Sequence, residues 1–339
     1  MLNPVQNPAK RRCRDLHIRA RRAAGRGLRS AIFVAFLLGT AATASAAVTA
    51  NPELVVTGFG NDSPFNVPQA VALDAARGEL IVGNTGNHTI EVFTLGGRPL
   101  ARYLHRVEGR GGGWVDGNPI GLAVDSSGRL LVADGAAAYV DILDGRGRSI
   151  GRLSPPPVEG SFGPAAITVR RDGSILVGMS GETGRVHRFT REYALDGSWG
   201  EPGRSPGMLS NIRGIVEAPD GSIVVLCLDT EFAVQRFTAG GTYVSGFGLH
   251  DIGAGNVSFP SGIAVTGDGR LYVTDELRQI IQVFDEGGDV IARFGGGGLL
   301  PGEFQYPSAL ASDGKDRLAV VERVGARLQL FRLAGTESK

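Results

Sequence analysis

Short apolar runs alternate with turn residues along most of the chain. Within residues 259–288, three runs rich in Val, Ile, Tyr and Phe are separated by a Gly-Asp-Gly turn and by a polar stretch. These residue types fit a pleated, half-buried surface, and Asp-Gly supplies the positive φ that a tight hairpin needs. Residues 289–294 add a fourth run. The pattern predicts a four-stranded antiparallel sheet, which is too small to bury its own faces without neighbours.

This unit recurs along the chain. The apolar residue that ends the third predicted strand returns at steps of 46 to 50 residues, as Phe93, Leu143, Phe189, Phe237, Phe284 and Phe331. A period of this size with four strands per copy is the signature of propeller blades. The sequence therefore predicts an all-β fold, a six-bladed β-propeller of four-stranded antiparallel blades.

The two ends of the repeat region complement each other. Residues 53–59 have the pattern of a fourth strand without the first three, whereas the last copy ends after its third strand at Phe331. We therefore expect the N-terminal strand to complete the last blade, which removes two exposed sheet edges. The predicted blades are 65–104, 118–153, 162–199, 209–247, 257–294, and 304–331 with 53–59.

The first 46 residues belong to a different class of segment. Nine Lys and Arg residues precede an apolar run at 31–39, and Ala44-Ser45-Ala46 follows. This order is typical of a secretory signal peptide, and an uncleaved membrane anchor is the alternative. We expect an exported protein, periplasmic or extracellular after cleavage. The predicted division is a signal peptide at 1–46, a linker at 47–52, the propeller at 53–333 and a C-terminal tail at 334–339.

Removing the leader changes the charge of the protein. The whole chain carries +1, and the leader, with nine basic residues and one acid, carries +8, so the remaining domain carries −7. Binding to a phosphate backbone needs clustered Lys and Arg. Nucleic acid, including RNA, is therefore disfavoured as a partner. The expected partners are an envelope or extracellular protein or a small ligand, with membrane contact only through the leader, and the protein is expected to be a monomer.

Three stretches resemble the NHL repeat: residues 84–93 (NTGNHTIEVF), residues 273–275 with 279–284, and the Pro-x-Gly-Ile-Ala-Val opening at 260–265. The resemblance extends over about 53–331 and implies a six-bladed propeller. It says little about function, because one fold hosts unrelated activities. Blades three and four depart from the pattern, since Met179 and Cys227 stand where the other blades have a polar residue.

A polar residue ends the second predicted strand in the other four blades, as Asn84, Asp134, Asp275 and Glu322. We call these residues the polar column. The interpretation that we favour is that they accept backbone N–H bonds and shape the next turn. The other is a divalent cation site for calcium or zinc, with Asp134, Asp275, Glu322 and His88 as ligands. That site would make the protein a metal-dependent lyase or hydrolase acting in the central funnel.

The first strand of each blade lies nearest to the propeller axis. The residue before its Gly or Ala is expected to face the pore mouth; these inner-ring residues are Gln69, Ile120, Ala165, Arg213, Ser261 and Ser308. Arg213 is the charged member, and a guanidinium binds carboxylates or phosphates. Pairing of Arg213 with Asp229 or Glu231 is the interpretation that we favour. With Gln69, Ser261 and Ser308, Arg213 nevertheless forms a candidate ligand-binding set.

Trp114 is a further candidate for contact with a ligand or partner, because it lies in a glycine-rich insertion between two blades. Trp199 and Cys227 are expected to be packing residues instead. No serine-hydrolase motif, P-loop or EF-hand loop occurs, no cofactor is evident, and no catalytic residue is assigned. The resemblance adds no ligand pattern, since the zinc-binding histidines of NHL-like peptide-amidating lyases are absent, as are the acidic motifs of calcium-dependent lactonase propellers. The expected function is a binding or scaffolding module for protein or small-molecule ligands.

Overall fold

The computed structural model describes residues 48–335, which form 26 strands in six four-stranded antiparallel sheets and one two-stranded sheet. The first blade contains β2 (Pro68–Asp74), β3 (Glu79–Asn84), β4 (Thr89–Thr94) and β5 (Pro99–Leu104), with a 3₁₀ turn at Thr85–Asn87. The second contains β8 (Pro119–Val124), β9 (Leu130–Asp134), β10 (Val140–Leu143) and β11 (Ser149–Leu153). The third contains β12 (Ser161–Val169), β13 (Ile175–Gly181), β14 (Val186–Phe189) and β15 (Leu195–Trp199).

The remaining blades follow the same order. The fourth contains β16 (Ile212–Glu217), β17 (Ile223–Cys227), β18 (Val234–Phe237) and β19 (Tyr243–Phe247). The fifth contains β20 (Pro260–Val265), β21 (Leu271–Asp275), β22 (Ile280–Phe284) and β23 (Val290–Gly295). The sixth contains β24 (Pro307–Ser312), β25 (Arg317–Glu322), β26 (Arg327–Ala334) and β1 (Thr49–Val56).

The blades form a closed ring. The first strands contact one another in the cycle β2, β8, β12, β16, β20, β24 and back to β2. The predicted six-bladed, all-β propeller is therefore confirmed. The sixth sheet has the order β1-β26-β25-β24, which agrees with closure by the N-terminal strand. That strand begins at Thr49, four residues before the predicted start, and it ends at Val56.

Six apolar clusters form the main core, one at each interface between neighbouring blades, and a smaller cluster of Val107, Ala137 and Tyr139 lies between blades one and two at the upper face. The residues that define the repeat at the end of each third strand are all at most 2% exposed. At the ring closure, Phe93 and Leu80 of blade one pack with Val321 and Leu328 of blade six. Burial of apolar side chains between blades explains why a single four-stranded unit needs its neighbours.

Because consecutive strands in a blade are antiparallel, its turns alternate between two faces of the propeller. We define the upper face by the turns between second and third strands and by the connections between blades. The lower face carries the turns between first and second and between third and fourth strands. On the upper face, the connection from blade one to blade two forms a hairpin of β6 (Arg106–Glu108) and β7 (Trp114–Asp116), which the sequence had not predicted.

The predicted signal peptide at 1–46 lies outside the described residues. Across 48–335, no helix has the length and apolar character needed to cross a bilayer.

Candidate ligand-binding funnel

The central channel opens on the upper face as a funnel of about 190 Å³. All six inner-ring residues line it, one from each blade. Ile212, Phe259, Glu276 and Arg323 complete the lining. The fold therefore brings together six residues that the sequence distributes over the whole repeat region.

A β-bulge at the start of each first strand positions the inner-ring side chains. The ladder between β16 and β17 shifts register between Ile212 and Gly214, which leaves Arg213 outside the regular pairing. The same shift occurs at Gln69, Ile120, Ala165, Ser261 and Ser308. A bulged residue leaves the ladder and its side chain is re-aimed. The polar lining is thus produced by one local irregularity that is repeated in every blade.

The small residue after the bulge has a packing cause. A Cβ on Gly121 would lie 2.6 Å from the Ala165 carbonyl oxygen, and a Cβ on Gly262 would lie 2.9 Å from the Ala309 Cα. Glycine is required where backbones approach this closely. A small residue, Gly or Ala, therefore recurs because neighbouring first strands lie close together at this position. This recurring small residue is the sequence feature from which the inner-ring residues were predicted.

Gln69 and Arg213 face each other across the channel, because blades one and four are opposite members of a six-membered ring. Within residues 48–335, neither side chain makes a hydrogen bond or ion pair with another residue. The expected pairing of Arg213 with Asp229 or Glu231 is not formed, and Asp229 instead accepts a hydrogen bond from Asn211. The funnel thus contains an amide and a guanidinium whose donors remain available.

The electrostatics of the funnel centre on Arg213. Its side chain reaches solvent in the channel, but the surrounding walls desolvate the guanidinium and lower its pKa. Glu276 and Asp229 oppose this shift, whereas Arg323 adds to it. The arginine remains a cation at neutral pH, because a guanidinium is not deprotonated in proteins under ordinary conditions. An anion bound beside it would offset part of the desolvation.

Two charged residues of the lining were missed by sequence reasoning. Glu276 and Arg323 lie on second-to-third turns of blades five and six, where they form an ion pair. Each directly follows an acid of the polar column, Asp275 or Glu322. The signal that would have found them is therefore the position after that column. Together with Arg213, they give the lining two guanidinium groups and one carboxylate.

The two serines of the inner ring have partners in the next blade. Ser261 Oγ donates to the Pro307 carbonyl oxygen at 2.7 Å, and Ser308 Oγ donates to that of Pro68 at 2.9 Å. Thr85 Oγ1 makes a similar bond, at 2.7 Å, to the Pro119 carbonyl oxygen. These bonds join consecutive blades around the channel. Ser261 and Ser308 thus stabilise the ring, whereas Gln69 and Arg213 do not.

The acids of the polar column are buried and have backbone partners. Asp134 Oδ1 accepts the Ala136 N–H at 2.7 Å, Asp275 Oδ2 accepts that of Ser258 at 2.8 Å, and Glu322 Oε2 accepts that of Gln305 at 2.7 Å. Each carboxylate thereby fixes the backbone near the upper face. This is the turn-shaping arrangement that the sequence favoured over a metal site.

The residues of the alternative metal site are not brought together. Asp134, Asp275 and Glu322 are buried in three different blades. His88 belongs to a fourth, blade one, and its Nδ1 lies 2.8 Å from the Gly117 carbonyl oxygen. In the part of the chain that the structure describes, no group of three or more His, Cys, Asp or Glu residues is arranged to hold a metal ion. Among the described residues, the fold therefore does not assemble the calcium or zinc site of the alternative interpretation.

Trp114 lies outside the funnel lining. It is 62% exposed on β7, while Val107 of β6 is buried against Ala137 and Tyr139 of blade two. Arg110 in the hairpin turn donates to the Ala137 carbonyl oxygen at 3.2 Å. The hairpin is therefore anchored on blade two, and its tryptophan is left in solvent.

The two packing predictions on blades three and four agree with the structure. Trp199 packs on Phe237 with a ring separation of 5.0 Å. Cys227 is fully buried, and burial raises the pKa of its thiol to about 12. A thiol in this environment is inert rather than nucleophilic.

The lower end of the channel has a different lining. It forms a cavity of about 500 Å³ with an aliphatic wall that includes Val71, Leu122, Ile167, Ile215, Ile263 and Leu310. The first strands pair here in regular register, as in Val71 with Val82 and Leu73 with Leu80. Arg171 at this end is fully engaged, since it contacts Glu217 and the carbonyl oxygens of Ala218 and Pro219.

Comparison with known proteins supports the fold. The family model of the NHL repeat matches residues 65–93, which include β2, β3 and most of β4. No curated protein matches the chain significantly. Among solved structures, virginiamycin B lyase from Staphylococcus aureus is similar, with 13% identity, a TM-score of 0.57, and coverage of 84% of this chain and 99% of that chain.

Two further similar structures are described as gluconolactonases, one of them as putative. A putative gluconolactonase has 14% identity and a TM-score of 0.61, over 85% of this chain and 93% of its own. The gluconolactonase XC5397 from Xanthomonas campestris has 16% identity and a TM-score of 0.58, over 85% of this chain and 98% of its own. At such identities the likeness concerns the fold, since one fold hosts many functions.

Proposed function

Because this chain is a six-bladed β-propeller whose first blade carries an NHL repeat, we propose that it is a binding module that holds a small ligand in its upper funnel. The observation that supports the proposal is that Gln69 and Arg213 enter one cavity with no partner among the described residues. Arg213 is exposed to the channel and Gln69 is half-buried, so both can bind a ligand that enters from solvent. A few convergent polar groups in a cavity are typical of ligand sites.

The proposal is tested by blocking the funnel. Ligand-observed NMR with a fragment library would be recorded for the wild type and for Ala165→Trp, which places an indole in the lining. Ala311→Trp is the matched control, because Ala311 lines the lower cavity. We expect fragment binding to be lost in Ala165→Trp and kept in Ala311→Trp. Ile120→Trp provides a second blocking variant, and binding that survives both blocks would contradict the proposal.

An enzymatic function is the competing hypothesis, because some of the similar structures are enzymes. One of them is a catalytically inactive variant of virginiamycin B lyase that was solved with quinupristin. Quinupristin and gluconolactone would be incubated with the purified wild-type protein and followed by mass spectrometry. Chromatographic retention is compared as well as mass, because a lyase that opens a ring by elimination gives a product of unchanged mass. Unchanged retention and mass, relative to a sample without protein, are expected for a binding module. Catalytic conversion of either compound would contradict the binding-module proposal and show an enzyme.

We also propose that the protein acts outside the cytoplasm. The order of basic segment, apolar run and Ala44-Ser45-Ala46 supports export. Mass spectrometry of the protein from cell fractions would determine its N-terminus. We expect residue 47 as the first residue of protein recovered from periplasm or medium. Protein that begins at Met1 and stays in the cytosolic fraction would contradict export.

A further inference from the structure

The funnel lining is divided into an apolar and a charged sector. Between Gln69 of blade one and Arg213 of blade four, the ring passes through Ile120 and Ala165 of blades two and three. On the other side, blades four to six supply Arg213, Glu276 and Arg323. A ligand that spans from Arg213 to Gln69 along blades two and three therefore meets a cation, then an apolar wall, then an amide.

The charged sector favours an anion at Arg213. Glu276 is already paired with Arg323, so its charge is matched within the protein. Arg213 has no such partner, and the lining keeps one positive charge in excess. A guanidinium presents a planar fork of donors that fits a carboxylate in a bidentate arrangement. The same group gains little from a neutral ligand, because its charge would stay unmatched.

We infer that the ligand is a small apolar carboxylate with a second polar group. Its carboxylate binds Arg213, its apolar body lies along Ile120 and Ala165, and its second polar group pairs with the Gln69 amide. This assignment rests on the proposed function of the funnel and specifies its ligand class. Gln69 both donates and accepts, so an amide or hydroxyl group at the far end of the ligand satisfies it.

Calorimetry with a matched pair of probes tests the inference. N-acetyl-L-leucine has the carboxylate, an apolar side chain and an amide, whereas N-acetyl-L-leucinamide differs by replacing the carboxylate with a neutral amide. We expect the carboxylate to bind the wild type at least about 10-fold more tightly than the amide. Inorganic phosphate is the third probe, and it is expected to bind more weakly than N-acetyl-L-leucine because it has no apolar part.

Variants then locate the effect. Arg213→Gln should lower the affinity for N-acetyl-L-leucine by about 10-fold or more and leave the affinity for N-acetyl-L-leucinamide unchanged. Arg213→Lys, which keeps the charge and loses the fork, should give an intermediate affinity and serves if Arg213→Gln fails to fold. Arg146→Gln is the matched control, because Arg146 is exposed in the third-to-fourth turn of blade two on the lower face.

The outcomes separate this inference from the proposed function. Equal affinity for carboxylate and amide, or an Arg213→Gln variant that binds N-acetyl-L-leucine as the wild type does, overturns the carboxylate assignment. If fragments still bind the wild type and are lost in Ala165→Trp, the funnel remains a ligand site of another class. Carboxylate binding that persists in Ala165→Trp and Ile120→Trp overturns both. Phosphate that binds as tightly as N-acetyl-L-leucine overturns the apolar part of the assignment.

Discussion

The two ends of the central channel share the same six first strands, yet their linings differ in chemistry. At the upper end a bulge removes one residue per strand from the ladder, and the lining contains Gln69 and Arg213. At the lower end the ladders are regular and the wall is mainly aliphatic, as at Val71 and Leu122. A repeated bulge, rather than an inserted domain or long loop, therefore distinguishes the candidate site from the rest of the ring.

The difference also concerns how polar groups are satisfied. Arg171 at the lower end and Arg327 inside blade six have carboxylate and carbonyl partners, whereas Arg213 in the upper funnel has none among the described residues. Polar groups that stabilise the fold are expected to have partners within the protein. Polar groups that bind a ligand are expected to lack such partners until the ligand is bound. The predictions below test this distinction, beginning with the largest effect.

Two arginines give the strongest contrast. Arg327 Nε lies 2.6 Å from Glu322 Oε1, and their side chains are 5% and 0% exposed. Arg327→Met leaves the buried Glu322 carboxylate without its counter-charge, although Gln305 and Gln329 still donate hydrogen bonds to it. The substitution should lower the free energy of unfolding by about 3–5 kcal/mol. Arg213→Met should change it by no more than about 0.5 kcal/mol, because no protein contact is lost. Urea denaturation measures both; equal losses would show that Arg213 is structural.

Two glycines test the packing behind the bulge. Gly262→Ala places a methyl group 2.9 Å from the Ala309 Cα and should destabilise the protein by about 1–3 kcal/mol through overpacking. Gly111→Ala is the matched control, since a Cβ there meets nothing within 4 Å, and its effect should stay within about 0.5 kcal/mol. Thermal unfolding compares them. If Gly262→Ala behaves like Gly111→Ala, close contact does not explain the small residue after the bulge.

A smaller effect is expected at His187, which should influence the pH dependence of stability but not ligand binding. His187 is buried with Nδ1 2.7 Å from Ser198 Oγ, and burial lowers its pKa below 6.5. The unfolded chain then binds the proton first, so this contribution to stability is complete above pH 6.5 and is lost as the pH falls below it. His187→Gln should flatten the decline of unfolding free energy between about pH 7 and pH 5. Its affinity for a funnel ligand at neutral pH should equal that of the wild type.

Denaturation at several pH values checks the slope. A variant with the wild-type slope would show that His187 does not cause it. A variant with altered ligand affinity would show that blade three influences the funnel in a way that the contacts of His187 do not explain.

The propeller ring and the inner-ring residues could be predicted from the sequence because both depend on short residue patterns that recur in every blade. The apolar residue at the end of the third strand and the Gly or Ala after the bulge recur in every copy, so one unit predicts the others. Glu276 and Arg323 were missed because their pairing joins two blades and has no period. The partner of Arg213 was expected to be Asp229 or Glu231 from proximity in sequence, whereas Asn211 binds Asp229 in the fold. The β6–β7 hairpin was missed because it occurs once.

The central claim is that Arg213 binds an anionic ligand in the funnel, and an NMR titration tests it most directly. In protein labelled with ¹⁵N-arginine, the Nε–H resonance of Arg213 would be assigned by its absence in Arg213→Gln. Titration with N-acetyl-L-leucine should shift this resonance and leave that of Arg146 unchanged. An Arg213 resonance that does not respond while the ligand binds elsewhere would contradict the account.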